Sequence, residues 1–254
     1  LNAGDVVTAT VTMDEATTVT GTPQLALNIG GTTVQANYAS GSGTTALTFT
    51  YTIQSGQTDA NGISVDANAL TLNSGTLKYA AGNNATLTLS AVTDNASYKV
   101  DTTAPTFDVA PSAGSVTSSG FTPSASLDES GTVYYVVVAN GATAPTVAEV
   151  KAGTVSGGGA ALASGNNTAS TGSFDTSFSA VTGLSASTDY DVYFVAKDAA
   201  NNDQASVTKV DVRTSASPTT FDFTSGSTID INHTNYVRQN KSGFVLEATN
   251  LNAS

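Results

Sequence analysis

The chain contains no cysteine and no tryptophan, and only one histidine and one methionine in 254 residues. Without cysteine, a disulfide framework, a thiolate zinc site and a cysteine nucleophile are all excluded. With His233 alone, no histidine pair exists to bind a metal or to relay a proton. No nucleophile elbow or phosphate-binding loop is present either, so the chain reads as non-catalytic. Basic residues are scarce: 8 Lys and Arg against 20 Asp and Glu give a formal charge of -12. Such a surface repels nucleic acid and anionic membranes, because both depend on Lys and Arg neutralising phosphate. No apolar run approaches the ~20 residues of a membrane span, so no membrane insertion is expected, and no signal peptide is visible, which reads as a mature or excised fragment.

What remains is rich in Thr, Ser, Ala, Asn and Gly, with 39% hydrophobic residues. Thr and Val suit pleated, half-buried surfaces, while Gly and Asn suit turns, which points to thin all-β sandwiches. Alternation supports this. Val7, Ala9, Val11 and Met13 share one face of a strand, and Leu25 to Ile29, Gly30-Gly31 and Val34 to Tyr38 spell a hairpin. Further strands are expected over 47–53, 69–73, 86–90, 96–100, 121–127 and 132–138. Residues 146–151 predict one helical turn, and 153–173 a long loop or weak edge strand.

The stretch Val100-Asp101-Thr102-Thr103-Ala104-Pro105 divides two pieces that echo each other. Thr12-Met13-Asp14-Glu15-Ala16 matches Ser126-Leu127-Asp128-Glu129-Ser130, and Lys78-Tyr79-Ala80-Ala81-Gly82-Asn83-Asn84 matches Lys197-Asp198-Ala199-Ala200-Asn201-Asn202. Two units of about one hundred residues predict tandem sandwiches over 1–103 and 104–217. Residues 218–254 fall below the ~40 residues that bury a core unaided, and read as a partial third domain or a strand-donating tail. Phe221 to Phe223, Ile229 to Ile231 and Gly243 to Ala248 are its strand candidates.

Leu184, Thr188, Tyr190, Val192, Phe194 and Ala196 resemble the sixth strand of fibronectin type III domains, with Tyr190 where the tyrosine corner belongs. The first unit is similar to the bacterial Ig-like repeats of large secreted RTX-type adhesins. That likeness rests on Tyr51-Thr52-Ile53-Gln54-Ser55-Gly56, Asn61-Gly62-Ile63, Leu70 to Gly75 and Ala81-Gly82-Asn83, and on the Asp101-to-Pro105 connector. The resemblance implies an extracellular, cell-surface spacer whose partners are neighbouring repeats or other copies of itself. Two alternatives stay open: a self-assembling filament or surface-layer subunit whose tail completes a neighbour's sandwich, and an accessory glycan-binding module of a secreted enzyme. For the last, Tyr134, Tyr135 and Tyr193 alternate with core positions and offer aromatic surface.

In a sandwich of this type the second and sixth strands end in loops at the pole where the chain enters. In the second unit those loops carry Asp128, Glu129, Asp198, Asn201 and Asn202, with Asp203 beside them, and the entering linker brings Asp101. Calcium takes about 6–8 oxygen ligands, so these side chains form a candidate calcium site at the joint. A cysteine-free secreted chain needs such a source of rigidity. Thr58-Asp59-Ala60-Asn61-Gly62 also resembles a calcium loop, but an Asn-Gly turn explains it. The first unit has Tyr79 where the second has Asp198, and Arg213 stands at the second exit where Asp101 stands at the first. A comparable site is therefore not expected at either place.

Overall fold

Val7, Val11 and Met13 are buried while Thr8, Thr10 and Thr12 between them face solvent, so alternation produces a single long strand, β1 (Val6–Thr20). The computed structural model describes residues 1–168, 174–218, 220–222 and 245–247. The first unit continues with β2 (Gln24–Ile29), β3 (Thr32–Ser40), β4 (Thr44–Thr52), β5 (Thr58–Asp59), β6 (Leu70–Thr71) and β7 (Thr76–Tyr79). All but β5 join one antiparallel sheet in the order β6-β2-β3-β4-β1-β7. The β2–β3 hairpin turns on Gly30 and Gly31 at φ +55° and +84°, the doubly left-handed turn that matches the twist of paired strands.

β1 does not stop at Asp14-Glu15. It pairs with β4 up to Thr12, shifts register between Thr12 and Thr17, and then pairs with β7 through Thr20. The Asp14-Glu15 pair therefore sits on an irregularity within a strand and not at a strand end. One face of the sheet is closed by residues that follow β5: Ile63, Ala69, Leu70, Ala85 and Val100 pack with Leu27, Leu47, Phe49 and Leu77. Residues 86–90 form no strand, although Leu87 and Leu89 lean on this core. Their alternation reports which side faces inward, and it carries no information about a hydrogen-bonded partner. Residues 96–98 form a 3-10 turn capped by Asn95, and only Val100–Asp101 is extended, as β8 paired with β5.

The second unit holds β9 (Phe107–Gly114), β10 (Thr122–Leu127), β11 (Gly131–Ala139), helix α1 (Val147–Ala152), β12 (Ala163–Thr168), β13 (Phe174–Ser177), β14 (Asp189–Asp198) and β15 (Thr208–Arg213). A three-stranded sheet, β13-β10-β9, faces a four-stranded one, β12-β11-β14-β15. Between them lie Phe121, Leu127, Val133, Val137, Val192, Phe194 and Ala196, with Tyr135 packed edge-on against Phe178 at 5.1 Å between ring centroids. The expected helical turn is α1, closed by a capping box between Thr146 and Glu149 and ended by Gly153 at φ +73°. β12, the weak strand of the Gly- and Ser-rich stretch, lies at the sheet edge.

α1 explains the unbroken apolar run of Val133 to Val138. Val136, Val138, Tyr193 and Val195 point away from the sandwich core and are buried beneath Val150, with Val147 and Val155 alongside. β11 and β14 are thus covered on both faces, which removes the need for polar residues on alternate positions. Tyr135 and Tyr193 are only 6% exposed, so neither supplies surface for a glycan.

Tyr190 Oη accepts a hydrogen bond of 2.9 Å from the backbone N–H of Ser185, the contact that defines a tyrosine corner. A Tyr190→Phe variant leaves this N–H without a partner. The expected loss is about 1–3 kcal/mol, measurable as a lower denaturant midpoint with an unchanged slope.

The last two strands, β16 (Thr220–Asp222) and β17 (Val245–Glu247), pair antiparallel with one another. The tail strands described are therefore matched within the chain. The expected strand at Ile229 to Ile231, and His233, lie outside the described residues.

Candidate metal centre

Three elements deliver carboxylates to the joint. β8 brings Asp101 on the strand that leaves the first unit. The corner between β10 and β11 brings Glu129, and the end of β14 brings Asp198. Leu127 is fully buried and anchors the corner, so the chain must turn outward at residue 128. Gly131 then lies directly opposite Asp198 in the β11–β14 ladder. A Cβ on Gly131 would lie 2.5 Å from the Lys197 carbonyl, so only glycine permits this approach.

As a result, carboxylate oxygens of Asp101, Glu129 and Asp198 lie within 4.8 Å of one another. Asp198 is buried and the other two are half-buried. No salt bridge among the described residues reaches any of the three. The consequence appears at Glu129, whose pKa is pushed from 4.5 to about 7. Burial is the largest cause, followed by the negative charges of Asp101, Asp198 and Asp128.

The other predicted ligands fall elsewhere. Asp128 accepts from the Thr106 N–H at 2.7 Å and from its hydroxyl at 2.6 Å, so both of its oxygens face the linker. Asn201 Oδ1 accepts from Lys197 Nζ at 2.8 Å. Asn202 stands beside the cluster with its donor end inward. Its Nδ2 donates to Asp198 Oδ2 at 2.6 Å and to the Asp101 carbonyl at 2.9 Å, while its backbone N–H donates to Asp198 Oδ1 at 2.7 Å. Both side-chain partners are acceptors, so the amide orientation is chemically forced. Asn202 thereby spaces two of the carboxylates instead of facing the cluster as an oxygen ligand. Asp203 pairs with Lys151 of α1 at 2.7 Å.

The loop after β14 repeats a turn of the first unit. Asp198 N–H donates to the Asn202 carbonyl and Asn201 N–H to the Asp198 carbonyl. Tyr79 with Asn83 and Gly82 with Tyr79 do the same, with Gly82 and Asn201 both left-handed at φ +82° and +75°. The sequence echo is a conserved backbone turn in which Tyr79 replaces the carboxylate of Asp198. Tyr79 Oη instead accepts from Thr86 N–H at 3.0 Å. Asp59 is also taken up by backbone groups: Asn61, Gly62 and Gly30 N–H donate to it at 3.3, 2.7 and 2.8 Å. At the far exit, Arg213 pairs with Asp189 at 2.7 Å.

One residue escaped the sequence reading. Gln204 Nε2 donates to the Pro105 carbonyl at 3.1 Å, and its Oε1 accepts from Ala196 N–H at 2.9 Å. A lone Gln in a loop, 99 positions from its partner, gives no periodic or motif signal.

Three carboxylates with no nitrogen or sulfur donor fit a hard divalent cation such as calcium rather than zinc or copper. Asp101, Glu129 and Asp198 would hold it, and its charge would offset the burial and the repulsion that together raise Glu129.

No protein-family model matches this chain. No curated protein matches it either. Among solved structures it is similar to a 1.5-MDa bacterial ice-binding adhesin, described in connection with host cell surface retention, at 14% identity and a TM-score of 0.33. That similarity covers 85% of this chain and 67% of the other. A TM-score so low carries no argument, so the functional reading draws on the sequence resemblance and on the geometry above.

Proposed function

We propose that this chain is a non-catalytic, extracellular spacer segment of a bacterial cell-surface adhesin, stiffened by calcium at the joint between its two sandwiches. One observation carries the reading. Only Thr102 to Pro105 separate β8 from Thr106, which is itself fastened to Asp128, and three carboxylates converge on this short connector from both units. A connector so short leaves few torsions free, and a cation shared by Asp101 of the first unit with Glu129 and Asp198 of the second removes more of them. The acidic surface and the exposed Thr faces of the first sheet suit a soluble rod that resists lateral association. No helix among the described residues is long and apolar enough to cross a membrane.

The absence of cysteine makes the test clean. Cysteines introduced at the exposed positions Thr33 and Asn140 take one spin label in each unit. The distance distribution is expected to be narrow in calcium and broader in chelator. Equal widths in both conditions would remove calcium from the proposal.

A further inference from the structure

The connector is held by more than its acidic cluster. On the first-unit side, Thr102 Oγ1 donates to the Gln57 carbonyl at 3.0 Å and accepts from Gly56 N–H at 2.9 Å. The Asp101 N–H donates to the Leu1 carbonyl at 2.9 Å. On the second-unit side, the Asp101 carbonyl accepts from Asn202, the Pro105 carbonyl accepts from Gln204, and Thr106 is bonded three times to Asp128. The backbone polar groups at positions 101, 105 and 106 thus already have partners, and none of these bonds involves an oxygen of the carboxylate trio's side chains.

We propose that Gln204 and Asp128 form a cation-independent latch that docks the connector onto the second unit before any metal binds. The inference rests on the spacer reading of this joint and adds its order of assembly. Each latch bond is of ordinary strength, and those in which the Asp128 carboxylate accepts are the stronger ones. Several acting on one short segment are enough to keep it in register, whereas inter-domain interfaces without such ties allow relative motion. The latch also spares the cation the cost of ordering the connector, which is the general benefit of preorganisation. Gln204 is well placed for this role. Its Oε1 is fixed by Ala196 N–H within the ladder that carries Asp198, so the residue that grips the linker is rigidly tied to the strand that carries one carboxylate.

The test uses the same spin-label pair on the full chain. In chelator, the wild type is expected to keep a single, broadened distance peak. A Gln204→Leu/Asp128→Ala double variant is expected to lose that peak in chelator and to recover it in part with calcium. A second variant, Gln204→Glu, still accepts from Ala196 N–H but cannot donate to Pro105. It separates loss of the latch from loss of the fold, and circular dichroism that matches the wild type confirms the latter is intact. The latch is overturned if the wild type already lacks the peak in chelator, or if the folded variants in chelator match the wild type. A width insensitive to calcium, together with a peak lost only in the variants, would sink the calcium reading and leave the latch standing.

Discussion

Saturating calcium is expected to raise the melting temperature of the second unit in the wild type and to leave an Asp198→Asn variant almost unmoved. At a free concentration about 100 times the dissociation constant, a single site contributes about 2.7 kcal/mol. Asp198 would be the decisive ligand, because it is buried and its two oxygens are already held by Asn202. Equal calcium responses in the two proteins would show that the ion binds elsewhere.

The same cluster sets a pH dependence whose sign differs with and without the ion. In chelator, Glu129 titrates near 7 in the folded chain and near its ordinary 4.5 when unfolded. Between those values the folded state binds the extra proton, so stability must fall as pH rises through this window. Calcium is expected to reverse the trend, since it would compete with that proton for the carboxylate. Replacing Glu129 with Gln removes the repulsive charge at nearly constant shape. That variant is expected to be more stable than the wild type above pH 7 in chelator and to lose calcium-linked stabilisation. Melting curves at pH 5 and pH 8, with and without the ion, decide both points.

The second large effect concerns the cores. Phe194 is fully buried between the two sheets of the second unit, against Tyr135 and Phe178. Phe194→Ala is expected to cost about 3–5 kcal/mol through lost burial and the cavity left behind. The first unit has its own apolar cluster, centred on Leu27, Leu47 and Phe49. Calorimetry of the variant should therefore show one transition shifted strongly downward and another near its wild-type position. A single transition that moves as a whole would mean that the two cores unfold as one.

Much of this architecture was legible in the sequence because burial imposes a local period. Val7, Val11 and Met13, the Gly30-Gly31 hairpin and the Tyr190 corner each depend on neighbours within a few residues, or on a backbone conformation that one residue type favours. The convergence of Asp101, Glu129 and Asp198 was legible for another reason: the order of strands in a sandwich sends particular loops to one pole. Misreadings arose where a local pattern met a distant partner. Residues 86–90 alternate correctly and find no ladder. Asp14-Glu15 looks like Asp128-Glu129 yet lies inside a strand that changes partners.

The sequence by itself determined the all-β class and which oxygen-bearing loops gather at the joint, because composition, alternation and strand order act through chain connectivity. Only the tertiary structure decided what each of those side chains does there. Asp128 turns to Thr106, Asn201 to Lys197, Asn202 becomes a spacer, and Gln204 becomes the grip on Pro105. Those partners stand anywhere from 4 to 99 positions away along the chain, and they are chosen through contacts of about 3 Å that no local pattern of residues encodes.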